Sequence, residues 1–304
     1  MNYDSIVCVK QVPDTANVTT EAMKEDGTVN RAALPAIFNP EDLHALETAL
    51  EIRDEHGGTV TAVSMGPPKA SEVLRECLNR GADRAVLITD FRAAASDTLA
   101  TSYILSQAVK TVGRYDFVFC GRQAIDGDTA QVGPQCAEKL GIPQITYLEE
   151  LVELTDGEVQ IRRNVGDGWE IVKARLPVLV TVLETANRPR PPAARRVMRL
   201  KRSRTPGEVA GEVRKEMPEG SNEQREAEVR RRCDALKQQG LLIEQWGLDE
   251  IGADLSRCGL AGSPTKVHRI QAIVLKKEGY QEVPPNKDGI RELIHELVVD
   301  RTWG

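Results

Sequence analysis

The sequence predicts an α/β protein built on a doubly wound, mainly parallel sheet. Short β-rich apolar runs alternate with amphipathic helical runs from Ser5 to Leu140. After one early excursion the links between them are short, and several strands run directly into glycine-bearing turns that open a helix. Regular alternation of this kind implies parallel strands joined by right-handed crossovers.

Ser5–Lys10 is the first strand, followed by an excursion punctuated by Pro13, Gly27 and Pro35. Asn39-Pro40-Glu41-Asp42 then opens a helix, with Asn39 as N-cap, Pro40 preset for the first turn and two acids suited to the helix dipole. Leu43, Leu46 and Leu50 share one face, broadened by Ala45, Ala49 and Ile52, and Gly57-Gly58 ends the run. Thr59–Met65 is a second strand, a helix follows from about Ala70 to Arg80, and Arg84–Thr89 is a third strand. Asp97–Val112 is helical, with Leu99, Tyr103, Ile104 and Val109 as core candidates, and Asp116–Cys120 is the fourth strand.

Beyond Gly141 the rhythm shortens. Ile145–Glu150, Val159–Arg163, Trp169–Arg175 and Val178–Leu183 read as strands added at the sheet edge, the third antiparallel and half-exposed. Asn187–Val209 is rich in Pro and Arg and reads as an extended, solvated arm lying on a partner, since no aromatics interleave with the basic residues as nucleic-acid binding would need. Ser221–Gly240 is a charged surface helix, Leu248–Leu260 a short helix, Val267–Leu275 a last strand, and Lys287–Asp300 an amphipathic helix with too little core to stand alone. Two parts result: residues 1–185 as the α/β domain, and 186–304 as an arm and tail that dock elsewhere.

The chain has 304 residues and a net charge of −6, so no global field draws it to nucleic acid or an anionic membrane. No apolar run approaches a membrane span and the start lacks a signal-peptide pattern, so a cytoplasmic protein is expected. The six cysteines show no metal-binding spacing; Cys8 and Cys120 read as small buried residues within strands. His44, His56 and His295 lie in charged helical patterns and read as solvated.

Candidate binding residues gather where strands end. Cys8-Val9, Met65-Gly66 and Cys120-Gly121 fall at one edge of a parallel sheet, where open α/β sheets hold ligands. The turn CGRQAIDGDTAQVGP carries Gly121 and Gly127, which allow close backbone approach, and leads to a helix start whose N–H groups suit a phosphate. Asp126 and Asp128 would repel phosphate directly and are read as caps or ribose partners. No side-chain acid, base or nucleophile is singled out.

CVKQVPDT, NPEDLHALETAL, VSMGPPKASEVLRECLNRGADRAVLITD, CGRQAIDGDTAQVGPQCAEKLGIPQ and AGSPTKV, in that order, closely resemble the β (small) subunit of electron transfer flavoproteins. The resemblance runs from about residue 4 to 202 and resumes near Gly259. It implies a flavodoxin- or Rossmann-like, adenine-nucleotide-binding domain, paired with an α subunit that carries the redox FAD. It also implies a nucleotide site at Cys8, Val9, Asn39, Pro40, Glu41, Asp42, Met65, Gly66 and the run Gly121, Arg122, Gln123, Ala124, Ile125, Asp126, Gly127, Asp128, Thr129, Ala130, Gln131, Val132.

In ordinary members that site holds structural AMP. Members with DGDTAQVGP resemble a type with a second FAD, which takes electrons from NADH and splits them between a low-potential carrier such as ferredoxin and the α flavin. A β subunit with AMP as scaffold, and a stand-alone nucleotide-binding module or hydrolase, are the alternatives. The family's docking loop toward acyl-CoA dehydrogenases offers a bulky apolar anchor. Here Ala194 stands at that place beside Arg195-Arg196, and Pro206 to about Asp254 is longer and more charged than the family's arm.

Overall fold

The computed structural model describes residues 2–14, 34–155, 157–265 and 282–299. The predicted alternation is present: β1 (Ser5–Cys8), α1 (Pro40–His56), β4 (Val60–Met65), α2 (Ser71–Arg80), β5 (Arg84–Ile88), α3 (Thr98–Val112), β6 (Phe117–Gly121) and α4 (Val132–Leu140). Within the excursion, β2 (Gln11–Pro13) and β3 (Ala36–Phe38) form a small antiparallel ribbon that the sequence reading left irregular. Then come β7 (Gln144–Thr155), β8 (Glu158–Asn164), β9 (Trp169–Arg175), β10 (Val178–Val182), α5 (Ala194–Leu200), α6 (Pro206–Glu216), α7 (Asn222–Gln238), β11 (Glu244–Trp246) and α8 (Lys287–Val299).

The main sheet has nine strands in the order β11-β5-β4-β1-β6-β10-β7-β8-β9. Pairing is parallel from β11 through β10 to the start of β7, and antiparallel from the end of β7 through β8 to β9. Strand order reverses between β1 and β6. From β1 the chain builds outward through β4 and β5, then crosses back to β6 on the other side.

Both faces are covered. Successive strand residues alternate between two cores: Val7, Phe117 and Phe119 face α1 and α2, whereas Ile6, Val118 and Leu179 face α3 and α4. This period of two with apolar residues on both sides is the pattern of a sheet sandwiched between helices. Burial of Leu46, Leu50, Leu74, Ile104 and Val109 completes the layers. Leu99, expected in the core, is 41% exposed, because it lies on the outward side of α3.

Several later elements differ from the sequence reading. β10 is fully buried and pairs between β6 and β7, so it is a central strand; its continuous apolar run VLVTV suits burial on both faces. Only the far end of β7 with β8 and β9 forms the antiparallel edge, and Trp169 and Ile171 of β9 are exposed. The Pro/Arg-rich arm contains α5 and the start of α6, and residues 187–196 lie on this chain's own helices. Arg190 bonds Glu47 of α1 at 2.9 Å and Asp54 at 2.7 Å, the Ala193 N–H donates to Asn79 O, and Arg196 donates to Leu78 O and Ala82 O. His44, read as solvated, is half-buried with Nδ1 3.1 Å from Asn187 Oδ1.

α7 buries no residue, as its composition implies, and Glu228 pairs with Arg231 and Arg232. β11 was not anticipated; it adds to the sheet edge beside β5. Leu248–Leu260 holds only a 3₁₀ turn at Leu255–Arg257, not a helix. Ile290, Leu293, Ile294 and Val298 of α8 are exposed. The strand expected at Val267–Leu275 lies outside the described residues.

Two glycine substitutions should move stability in opposite directions. A Cβ on Gly133 would meet Cys120 Sγ at 2.8 Å and Thr181 Cγ2 at 2.9 Å. Gly133→Ala should therefore force α4 off the sheet and cost about 1–3 kcal/mol. Gly211 lies mid-helix in α6 with open space at its Cβ, so Gly211→Ala should stabilise by roughly 0.5–1 kcal/mol. Denaturant midpoints of the two variants check both signs.

Candidate functional site

At the β1/β6 switch point, the carboxyl ends of the strands open on a cavity of about 440 Å³. Its geometry is set by the first turn of α1. Asn39, wholly buried, makes no cap bond with its own helix. Its Oδ1 instead accepts from the Ile125 N–H at 3.1 Å and its Nδ2 donates to Gln123 O at 2.9 Å. Glu41 accepts from the Gln123 N–H at 2.8 Å and pairs with Arg122 at 2.8 Å. Asp42 accepts from Gly121 N–H at 2.9 Å and Lys10 N–H at 2.8 Å. So the predicted N-cap and first-turn acids clamp the ends of β1 and β6 rather than serving α1 alone. A Cβ on Gly121 would lie 2.7 Å from Asp42 N and 2.7 Å from Glu41 C, so only glycine allows this approach.

The loop from Arg122 to Gln131 folds over the cavity. Ala124 O accepts from the Gly127 and Asp128 N–H groups, and Asp128 and Ala130 take left-handed φ values of 49° and 53°. Such conformations in non-glycine residues are sparsely populated and concentrate at functional loops. Neither Asp126 nor Asp128 caps α4. Asp126 pairs with Lys10 Nζ at 2.7 Å, and Asp128 accepts from Gln123 Nε2 at 3.0 Å. Gln131 precedes α4 without capping it, so the first-turn N–H groups of Val132 and Gly133 have no hydrogen-bond partner among the described residues.

A second helix start faces the same space. Asp97 caps α3 through the Ala100 N–H, and Ser96, Thr98 and Thr101 line the cavity. Thr98 Oγ1 donates to Gln131 Oε1 at 2.8 Å and ties the two helix starts together. The open first-turn amides of α4, with the Thr101 hydroxyl nearby, suit an anion such as a phosphate, while the Asp97 carboxylate already occupies the start of α3.

Of the expected site residues, Cys8, Val9, Asp42, Met65, Gly121, Arg122, Gln123, Ala124, Asp126, Gly127, Asp128, Thr129, Ala130, Gln131 and Val132 line this cavity. Asn39, Pro40, Glu41, Gly66 and Ile125 do not line it, and Asn39 and Glu41 act from behind by holding the loop. Cys120, placed at the strand-end edge by the sequence, lines it too, and Lys10, Ala93, Ala95, Ser96, Asp97, Thr98, Thr101, Leu105 and Gly133 line it without having been singled out as site residues. The β5–α3 junction was legible in principle: strand, short turn and an Asp97 N-cap repeat the logic used for β6–α4. Cys8 and Cys120 are half-buried at the cavity wall rather than core residues. Burial holds both thiols well above the usual range, so neither is a thiolate at neutral pH.

Burial pushes Asp42 up to about 7, against the lowering effect of the Gly121 and Lys10 N–H groups. A folded-state value above the unfolded one means that the native protein holds the proton longer. Stability from this group is therefore full below about pH 4 and declines as pH rises toward 7. Unfolding titrations at pH 4.5 and pH 7.5, in wild type and Asp42→Asn, should show that the wild-type decline is smaller in the variant.

The electron transfer flavoprotein domain matches residues 26–205. The electron transfer flavoprotein subunit β of Clostridium acetobutylicum is 39% identical over 292 residues, 96% of each chain. The protein FixA of Sinorhizobium fredii is 38% identical over 300 residues, covering 96% of this chain and 91% of its own. The caffeyl-CoA reductase-Etf complex subunit CarD of Acetobacterium woodii is 39% identical over 265 residues, 87% of this chain and 86% of its own. With a parallel sheet, a switch-point cavity and these likenesses over most of its length, the chain belongs to the electron transfer flavoprotein family, as a β subunit.

Proposed function

We propose that the switch-point cavity binds the adenosine diphosphate part of an FAD, and that this chain works with an electron transfer flavoprotein α subunit to carry electrons between oxidoreductases. The observation that carries the reading is the convergence of the α3 and α4 N-termini on one wall, with the first-turn N–H groups of α4 open. The donor set fits a diphosphate: main-chain amides and hydroxyls, with Lys10 and Arg122 as the lining cations. Thr129 to Gly133 would hold the phosphates, and Asn39 and Glu41 would keep the loop in place from behind.

A flavin bound there supplies reversible electron uptake; the chain supplies position, burial and electrostatics. The likeness to a subunit of a caffeyl-CoA reductase-Etf complex and the DGDTAQVGP turn support the splitting of electrons from NADH between the α flavin and a low-potential carrier such as ferredoxin.

Residues 186–304 are read as a part that docks on the α subunit or a larger complex; residues 187–196 and β11 within it pack on this chain itself, and the exposed apolar side chains of α8 support the docking. For an acyl-CoA dehydrogenase or a related oxidoreductase, Ala194 offers little anchor. The exposed apolar side chains nearby on α5 are Val197 and Met198, the latter 63% accessible. No helix among the described residues is long and apolar enough to cross a membrane, which is compatible with action in the cytoplasm.

Nucleotide analysis of the purified αβ pair should return two FAD; one FAD with one AMP would favour the scaffold reading, and ATP turnover by a stable lone chain would favour the hydrolase. Gly127 has open space around its Cβ position. Gly127→Val should fill that space, block backbone approach and weaken nucleotide retention about tenfold, the scale of an unmade hydrogen bond to a charged group. Unchanged cofactor content would place the nucleotide elsewhere.

A further inference from the structure

Lys10 and Arg122 are the cations lining the cavity among the described residues, and they are held differently. Arg122 pairs with Glu41, whose side chain is only 7% exposed. Lys10 Nζ lies 2.7 and 2.8 Å from the two carboxylate oxygens of Asp126, and this pair is open to water, with side-chain exposures of 47% and 24%. It joins the end of β1 to the loop that folds over the cavity. The backbones on either side are fixed: the Lys10 N–H donates to Asp42, its carbonyl accepts from the Asn39 N–H, and the Ile125 N–H beside Asp126 donates to Asn39. Only the long Lys10 side chain remains free to swing.

We propose that Lys10 and Asp126 form an anion-exchanged latch across the cavity mouth. Without ligand, the ammonium rests on Asp126 and offsets a carboxylate that would repel phosphate. When a phosphorylated nucleotide enters, Lys10 transfers its contact from Asp126 to a phosphate oxygen while the loop stays held through Asn39. Solvent-exposed ion pairs contribute little, so the exchange is inexpensive, whereas a charge-assisted lysine–phosphate hydrogen bond is stronger. Lys10 thereby contacts the ligand and discriminates for phosphate, and Asp126 acts as the phosphate's competitor for it rather than as a ligand contact. The inference rests on the nucleotide reading above.

The test titrates the full-length chain, freed of bound nucleotide, with AMP and with adenosine by calorimetry, thermal melting confirming that each variant is folded. Lys10→Met should weaken AMP about tenfold and leave adenosine unchanged, and Lys10→Arg should restore most of the loss. Asp126→Asn should tighten AMP by about two- to fivefold, the range of an exposed ion pair, again without effect on adenosine. Weaker AMP binding in Asp126→Asn would make Asp126 a ligand contact and overturn the latch, as would equal effects of Lys10→Met on both probes or on neither. If the wild type bound neither probe, the nucleotide reading itself would fall, and the latch with it.

Discussion

The contact on which the site depends is the one between the first turn of α1 and the ends of the two central strands. Asp42 accepts one N–H from Gly121 at the end of β6 and one from Lys10, two residues beyond β1, so a single carboxylate fixes both sides of the switch point. Asn39 and Glu41 extend the same hold along Gln123 and Ile125. Burying two acids and an amide is unfavourable unless their oxygens find donors. The backbone amides of the loop are those donors, and satisfying them gives the loop its shape.

This arrangement separates support from the cavity wall. Asn39 and Glu41 are buried and bonded behind the loop, while the wall carries main-chain amides, hydroxyls, several carboxylates, Arg122 and the exposed Lys10–Asp126 pair. For a flavoprotein subunit this division is apt. The redox chemistry belongs to the flavin, and a protein influences it through placement, solvent exclusion and local charge. The left-handed residues Asp128 and Ala130 fit the same picture, since strained backbone persists only where its surroundings hold it.

The Pro/Arg-rich arm shows how charge can mislead without a third dimension. Its composition implies a solvated surface, but Arg190 and Arg196 turn inward, onto carboxylates of α1 and onto carbonyls at and just beyond the end of α2. The chain thus covers its own helices before adding β11 to the open edge of the sheet. The apolar side of α8 has no such cover among the described residues.

From sequence alone the alternation of elements, the parallel class of the sheet, the edge on which the cavity opens and most of the cavity-lining run from Gly121 to Val132 were legible. These rest on local patterns: periodicity, capping residues and glycines that bend the chain. Tertiary structure alone decided that β10 is central, that Asn39 and Glu41 support rather than line the site, and that α3 contributes a second helix start. Each of those depends on which distant segment supplies a hydrogen-bond partner. Period and propensity carry no information about that, because a buried carboxylate is satisfied equally well by any amide that the fold brings within reach.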